Sequence, residues 1–186
     1  MKKKQEKTAH KARYETRMYF FVHFSLSGIQ KGIQAGHAAV EYARYFGDTE
    51  IFEYFAMYDK TFILLNGGTS NRHNIGTMEE LFKSLKPICN VASFSEPDLN
   101  NSLTAMAFIL DERVYDRETY PDFFEWIELP GIDAVNMRIK FGHLPDRSEL
   151  PKRIALMYDL WIDQVIGTET NARLREIIRG KHLASN

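Results

Sequence analysis

The sequence has little of several features that define common classes of protein. Cys89 is its single cysteine among 186 residues, which excludes a disulfide framework and a zinc site built from cysteines. None of the six histidines belongs to a His-Glu-x-x-His pattern, so we predict neither a metal site nor a cofactor. No apolar run approaches the roughly 18 residues needed to cross a bilayer, and no signal-peptide core follows the basic start. We therefore expect a soluble, cytoplasmic protein that has no membrane partner.

The chain as a whole also lacks an excess of positive or negative charge, although its first segment is basic. The 24 basic and 25 acidic residues nearly cancel, which excludes a general polyanion binder. Residues 1–17, however, hold seven basic and two acidic side chains. Such a segment is typical of a disordered, solvated tail, and an arm that contacts nucleic acid is the alternative.

Hydrophobic residues make up 44% of the chain, which is enough for one well-buried core. Aromatic and β-branched runs predict strands, and apolar residues at helical spacing predict helices between them. The resulting order, β-α-α-β-α-β-β, predicts a three-layer-like α/β sandwich on a mixed four-stranded sheet over residues 18–110. The predicted strands are 19–24, 61–65, 90–94 and 103–110, and the predicted helices are about 29–46, 50–58 and 78–85.

The last third of the chain has a different character. We expect residues 111–186 to form a mainly helical extension that packs on the sandwich. Aromatic residues such as Phe123 and Trp161 are expected in the core of this extension, and an exposed partner surface is the alternative. The predicted helices are 122–128, 150–166 and 171–182, with one candidate strand at 134–141.

The terminal helix of this extension is basic. It carries Arg173, Arg175 and Arg179, which predicts contacts with a nucleic-acid backbone. An ordinary solvated helix face is an equal alternative for this pattern.

The stretch GIQKGIQAGHAAVE opens the first predicted helix with residues that are poor helix formers. We expect Ile33, Val40 and Phe46, together with neighbouring alanines, to form the face that meets the sheet. Gly32 and Gly36 would then allow the helix to lie close to the strands. The stretch matches neither the P-loop pattern G-x-x-x-x-G-K-[ST] nor the glycine pattern of dinucleotide-binding proteins.

Polar residues of the same helix are candidates for function. Lys31 belongs to the first turn, where the helix dipole and the free backbone N–H groups would suit a phosphate or a carboxylate. Gln34 and His37 are three residues apart and share one face of the helix. For His37 alone, a structural histidine bonded to nearby backbone is the alternative.

A second group of polar residues lies between the third and fourth predicted strands. Glu96 and Asp98 belong to a turn, and Thr104 begins the strand that follows. Taken alone, carboxylates in a turn are typical of local hydrogen bonds. Arg72 and His73, in a polar loop after the second strand, are candidates for the rim of a binding site and for contacts with nucleic acid.

Taken in order, these residues resemble the peptidyl-tRNA hydrolase 2 family. A strand followed by Leu-Ser-Gly, then by Gln34 and the His37-Ala-Ala run, is similar to the first strand, loop and helix of that family. The helix of the family carries a G-K-x-A-A-Q-x-x-H-A-A type segment. The acidic turn at 94–99 and the strand at 103–107 are similar to the last two strands. The similarity covers about residues 18–110, so the chain resembles a divergent member with a C-terminal extension.

The resemblance implies a small α/β sandwich that hydrolyses the ester between a peptide and the tRNA 3′ end without a metal. Ester hydrolysis needs a positioned water, a base or orienting acceptor, and donors for the developing oxyanion. Lys31 would stabilise that oxyanion or hold a tRNA phosphate. Asp98 or Glu96 would orient the water, and Thr104 would hydrogen-bond the water or the substrate.

The resemblance leaves two main functions open. The first is a peptidyl-tRNA hydrolase-like esterase, in which Gln34 and His37 brace the loop and the helix. The second is a non-catalytic protein on the same fold, which binds nucleic acid or a protein partner through its C-terminal extension. A small-molecule transferase is a third, weaker alternative. The partners that this leaves open are tRNA or another nucleic acid, a protein partner, and a second copy of the chain in a homodimer.

Overall fold

Four strands form one mixed sheet in the computed structural model, which describes residues 14–70, 77–127 and 147–184. The sheet has the order β2-β1-β4-β3. Strand β1 runs parallel to β2 and antiparallel to β4, and β3 runs antiparallel to β4. This confirms the prediction of a mixed α/β protein on a four-stranded mixed sheet. The strands are β1 (Thr16–His23), β2 (Phe62–Gly68), β3 (Val91–Glu96) and β4 (Ser102–Asp111).

Seven α-helices lie in the described part of the chain. Two of them continue into π-helical turns, Phe55–Asp59 after α2 and Ile162–Ile166 after α6. No helix among the described residues is both long and apolar enough to cross a membrane. The strand predicted at 134–141 lies outside the described residues. The helices are α1 (Gly28–Phe46), α2 (Glu50–Tyr54), α3 (Thr77–Leu85), α4 (Glu112–Tyr115), α5 (Phe123–Trp126), α6 (Lys152–Trp161) and α7 (Glu169–Ile178).

The two central strands, β1 and β4, are mainly apolar because both of their faces are covered. In β1, alternate residues point to opposite faces of the sheet, with Phe20 in the cluster beneath α1 and Phe21 in the cluster that contains α3 residues. Both phenylalanines have no exposed surface. A strand buried on both faces loses the alternation of polar and apolar residues, which explains the unbroken run MYFFV.

The face that α1 turns toward the sheet differs from the predicted one. Ile33 and Val40 are 52% and 67% exposed, so the expectation that they meet the sheet is wrong. Phe46 does pack against the core. The buried positions of α1 are instead occupied by two polar and three other residues, Lys31, Gln34, Ala35, Ala38 and Tyr42. Apolarity alone therefore did not identify the inner face, because Gln34 is held inside by hydrogen bonds.

The glycines of α1 do not pack on the sheet either. A Cβ atom added to Gly32 or Gly36 would meet no atom of a neighbouring residue within 4 Å. Both residues lie on the exposed side of the helix. The prediction that they allow a close approach of α1 to the strands is wrong, and their presence in the helix requires another reason.

Strand β1 begins three residues earlier than predicted, at Thr16. The backbone N–H and the hydroxyl of Thr16 both donate to Asp59 Oδ2, at 2.7 and 2.6 Å. Thr16 also pairs with Asp111 at the end of β4. The basic segment expected to be a tail up to residue 17 is thus part of the sheet from Thr16 onward, and residues 1–13 lie outside the described residues.

The C-terminal helices pack on the sandwich through α7. Leu174 belongs to the core cluster beneath the sheet, whereas Ala172 belongs to a separate cluster with Phe123 and Trp161. Phe123 and Trp161 are each 1% exposed, so these aromatics form a core rather than a partner surface. Helix α7 is therefore the element shared by the two clusters.

After α7, the chain returns to the outer edge of β2. The N–H of Asn66 donates to His182 O at 2.9 Å, and the N–H of Ala184 donates to Leu64 O at 2.9 Å. These bonds satisfy backbone groups of an edge strand that would otherwise be open to pairing with another chain.

The single thiol is predicted to be unreactive in the folded protein. Burial raises the pKa of the Cys89 thiol to about 12, so the nucleophilic thiolate is scarce at neutral pH. We expect labelling by a maleimide at pH 7.5 to be roughly 100-fold slower, or more, than in the chain unfolded by guanidinium. Equal rates in the two states would contradict this.

Candidate functional site

The first turn of α1 is fixed by a complete capping box. The N–H of Gln30 donates to Ser27 Oγ at 3.4 Å, and the N–H of Ser27 donates to Gln30 Oε1 at 3.1 Å. Two backbone donors at the helix start are satisfied in this way. Gln30 therefore has a structural role, and the following residue, Lys31, is held in a defined first turn.

Lys31 is buried at a place that does not favour a cation. Its side chain is 5% exposed, although it lies near the positive end of the helix dipole. The first turn of α1 contains no acidic residue. Lysine is seldom buried in folded proteins, so Lys31 is a candidate functional residue.

An open depression of about 810 Å³ lies beside this turn. It combines apolar and polar walls, as small-molecule sites do. Backbone groups from the β1–α1 loop and the α1 N-terminus surround it. The lining residues are Phe24, Ser25, Leu26, Ser27, Gly28, Ile29, Gln30, Lys31 and Asn66.

One turn after Lys31, Gln34 joins two strands through both ends of its amide. Thr104 Oγ1 donates to Gln34 Oε1 at 2.6 Å, and Gln34 Nε2 donates to Glu96 Oε2 at 2.6 Å. Gln34 and Thr104 are buried, at 7% and 1% exposure. The structure therefore brings Gln34, Glu96 and Thr104 together in one hydrogen-bonded chain next to Lys31 on α1.

A β-bulge in β4 places Thr104 in this chain. Phe94 lies opposite Ala105, but the next residue of β3, Ser95, lies opposite Leu103. Thr104 is thus the extra residue, and it faces α1 together with Ala105, while Leu103 returns to the other face of the sheet. Bulges commonly re-aim side chains beside functional sites.

His37 lies at the edge of this group and does not take part in the hydrogen-bonded chain. Its ring stacks on Phe94 with centroids 4.5 Å apart and an angle of 19° between planes. The residue is exposed. This contact holds α1 against β3 and fits the expected bracing role.

Asp98 lies beyond the end of the strand whose last residue, Glu96, contacts Gln34. It lies in the exposed 3₁₀ turn Pro97–Leu99, which follows β3. Glu96 is the last residue of the strand itself and is half-buried. Of the two candidate carboxylates, Glu96 is the one that the fold connects to α1.

The residues predicted to contact nucleic acid have different surroundings in the structure. Arg173 is exposed and lies 3.7 Å from Glu169, and Arg179 lies 3.1 Å from Glu176. Both pairs are local ion pairs on α7, which reduces the positive charge that the helix presents. Arg72 and His73 lie outside the described residues.

Arg175 is not on the surface at all. It is 1% exposed and donates to Asp122 Oδ1 at 3.0 Å and to the carbonyl oxygens of Tyr120 and Arg113, both at 2.5 Å. Burial lowers the pKa of the Arg175 guanidinium, and the hydrogen bond and charge of Asp122 oppose that shift. The interpretation of Arg175 as a nucleic-acid contact is therefore replaced by a structural role, in which it joins α7 to the start of α5.

The contribution of the Thr104 hydroxyl to stability can be measured separately from that of the side-chain volume. We expect Thr104→Val to lower the free energy of unfolding by about 1–3 kcal/mol, because it leaves the buried Gln34 Oε1 without this donor. Thr104→Ser keeps the hydroxyl and serves as the control in urea denaturation. A Val variant as stable as the Ser variant would contradict the hydrogen-bond assignment.

Comparison with known proteins adds no relative to this geometry. The chain matches no family model, and no curated protein was found to be similar to it. Among the described residues, no group of three or more His, Cys, Asp or Glu side chains is arranged to hold a metal ion. The site therefore has to be interpreted from its own residues.

Proposed function

We propose that this protein is an ester hydrolase of the peptidyl-tRNA hydrolase type, which cleaves the ester between a peptide and the 3′ end of tRNA. The observation that carries the proposal is the Thr104–Gln34–Glu96 hydrogen-bonded chain, which lies one turn from the buried Lys31. The sequence resemblance supplies the substrate. The groups that support it are the Glu96 carboxylate, which is bonded to α1 through Gln34, and Lys31, which lines the open depression.

In the proposed reaction, Glu96 accepts a proton from the attacking water. Its Oε2 accepts a hydrogen bond from Gln34 Nε2, and Oε1 would accept one from the water. The water oxygen forms a bond to the carbonyl carbon of the ester, and the carbonyl oxygen becomes an oxyanion. Lys31 and the N–H groups at the start of α1 would stabilise that negative charge.

The carbon–oxygen bond to the ribose then breaks. The leaving ribose oxygen takes up the proton that Glu96 received, and the products are a peptide carboxylate and a tRNA with a free hydroxyl. Gln34 and Thr104 act as positioning residues in this scheme, because they hold Glu96 and α1 together without contacting the reacting atoms. A capped and hydrogen-bonded site of this kind is preorganised, which is the main source of electrostatic catalysis.

The choice between the two carboxylates gives a sharp experiment. We expect Glu96→Gln to lower kcat/KM for an N-blocked aminoacyl-tRNA by about 10²–10⁴, the usual contribution of a general base. Asp98→Asn removes an equal charge only two residues away, in the exposed turn, and is expected to leave the rate close to that of the wild type. The readout is free tRNA released per unit time.

Both results are needed to support the assignment. Loss of activity in Asp98→Asn with activity kept in Glu96→Gln would reverse the roles of the two carboxylates. Equal loss in both variants would show a dependence on total charge in this turn and would contradict a role for the Gln34–Glu96 bond.

The non-catalytic alternative has less support from the described residues. It places the partner surface on the C-terminal helices, but Phe123, Trp161 and Arg175 are buried there. Arg173 and Arg179 remain for a phosphate backbone, and each lies beside a carboxylate of its own helix. Binding of an N-blocked aminoacyl-tRNA without hydrolysis of its ester would favour this alternative.

A further inference from the structure

The outward face of α1 carries an apolar stripe that nothing in the described chain covers. Ile29, Ile33 and Val40 are 80%, 52% and 67% exposed. Together with Gly36 and Ala43, they are spaced by four, three, four and three residues. That spacing is the heptad repeat with which one helix packs along another. We call these five residues the α1 seam.

Among the described residues, nothing packs against the glycine in the centre of the seam. Gly36 has open space where its Cβ would be, and a glycine in a helix interior is about 1 kcal/mol less favourable than alanine. A glycine on an exposed helix face permits another backbone to come close. The open space and the exposed isoleucines therefore both indicate that a partner helix packs against this face.

The chemistry of the seam favours a protein partner over a nucleic acid. Across the span of the seam, the formally charged side chains are Lys31, which is buried on the opposite side of α1, and Glu41, which lies 3.6 Å from Arg44. A nucleic-acid surface needs exposed cations to neutralise phosphates. An uncharged, aliphatic stripe fits another aliphatic helix.

We propose that this partner is the α1 helix of a second copy of the chain, packed antiparallel across a two-fold axis at Gly36. The order of side chains around Gly36 is nearly palindromic, so an antiparallel copy sets Ile33 beside Val40 and the large Ile29 beside the small Ala43. A two-fold interface uses the same patch on both copies, and the seam is self-complementary in this sense. Gly36 would meet itself at the point of closest approach.

The length of the seam limits how strongly the two copies can bind each other. It spans roughly 21 Å at 1.5 Å per residue. A single helix pair of that length is short compared with stable interfaces, which bury about 1,200–2,000 Å² in total. We therefore expect a weak, rapidly exchanging dimer that forms at high micromolar concentration.

Sedimentation equilibrium of the full chain tests the proposal. From about 5 to 500 µM, the average mass should rise from 21.6 kDa toward twice that value. Val40→Asp places a charge in the seam of both copies and should raise the dimer dissociation constant at least about tenfold. Leu156→Asp is the matched control, because Leu156 is 64% exposed but lies on α6, and it should leave the dissociation constant unchanged.

Gly36→Ala separates packing between copies from stability within one copy. The added methyl group has open space in the monomer and replaces a poor helix former, so the Tm at low concentration should rise. The same methyl group would push the two helices apart at the axis, so the dimer should weaken. Opposite signs for the two measurements are the signature of the proposed axis.

The antiparallel orientation can be tested by disulfide cross-linking in a Cys89→Ala background. A mixture of Ile29→Cys and Ala43→Cys chains should form cross-linked dimers on mild oxidation, whereas Ile29→Cys alone should not. Cross-linking of Ile29→Cys with itself would overturn the antiparallel arrangement. A wild type that stays monomeric up to 500 µM, or a dimer that Val40→Asp leaves intact, would overturn the proposal as a whole.

Discussion

An Arg175→Met variant is expected to lose about 3–5 kcal/mol of unfolding free energy, the largest loss we predict for a single side chain. Methionine replaces the aliphatic stem of arginine but supplies no donors. It removes the 3.0 Å donor of the buried Asp122 carboxylate, which keeps only Arg117 at 3.9 Å as an ion-pair partner, and it frees the carbonyls of Tyr120 and Arg113. Removing one member of a buried ion pair is far more damaging than removing an exposed pair. Urea denaturation followed by circular dichroism gives the value.

The control for this prediction lies two residues earlier on the same helix. Arg173 is exposed and pairs with Glu169 across one turn, so Arg173→Met should change stability by no more than about 0.5 kcal/mol. Arg175→Lys keeps the charge but loses the forked geometry, and its loss should fall between the two. Similar losses for Arg173→Met and Arg175→Met would contradict a structural role for Arg175.

The second large effect concerns activity rather than stability. Lys31→Met should lower kcat/KM for an N-blocked aminoacyl-tRNA by about 10²–10³, the usual result of removing one oxyanion donor. Because methionine keeps most of the aliphatic stem of the buried lysine, we expect the fold to be kept. A parallel measurement of Tm checks that the loss of activity does not come from unfolding.

Lys86→Met is the matched control for Lys31→Met, because Lys86 is an exposed lysine just after α3. Activity close to that of the wild type is expected for this variant. If Lys31→Met retained full activity, the oxyanion role of Lys31 would have to be abandoned, even if the protein proved to be a hydrolase.

The sheet was predictable because its signals are local. The run MYFFV is apolar over its whole length and the stretch LTAMAFIL is apolar except for Thr104, and the structure places them in the two central strands. The capping box Ser27-Gly-Ile-Gln30 was also present in the sequence as a Ser-x-x-Gln pattern, and it would have assigned Gln30 a structural role. Patterns of this kind depend only on neighbours in the chain.

The face of α1 was mispredicted because its cause is not local. Gln34 is buried by bonds to Glu96 and Thr104, which lie 62 and 70 residues away in sequence. Hydrophobicity alone therefore placed Ile33 and Val40 inside, although both lie outside.

The burial of Arg175 has the same kind of origin. Its acceptors lie 53 to 62 residues earlier in the chain, in the segment around α4 and α5. A basic helix in a sequence is equally compatible with a solvated face, a phosphate-binding face and a buried ion pair. The tertiary contacts decide between them.

Release of tRNA by the purified wild-type chain is the most direct test of the proposed hydrolase. The substrate is an N-acetyl-aminoacyl-tRNA, the enzyme is in excess, and the free tRNA is measured over a single turnover in the presence of EDTA. We predict release well above the rate of spontaneous ester hydrolysis, and loss of that excess in Lys31→Met. Release at the rate of the buffer control, from protein whose fold is verified by circular dichroism, would contradict the proposed function.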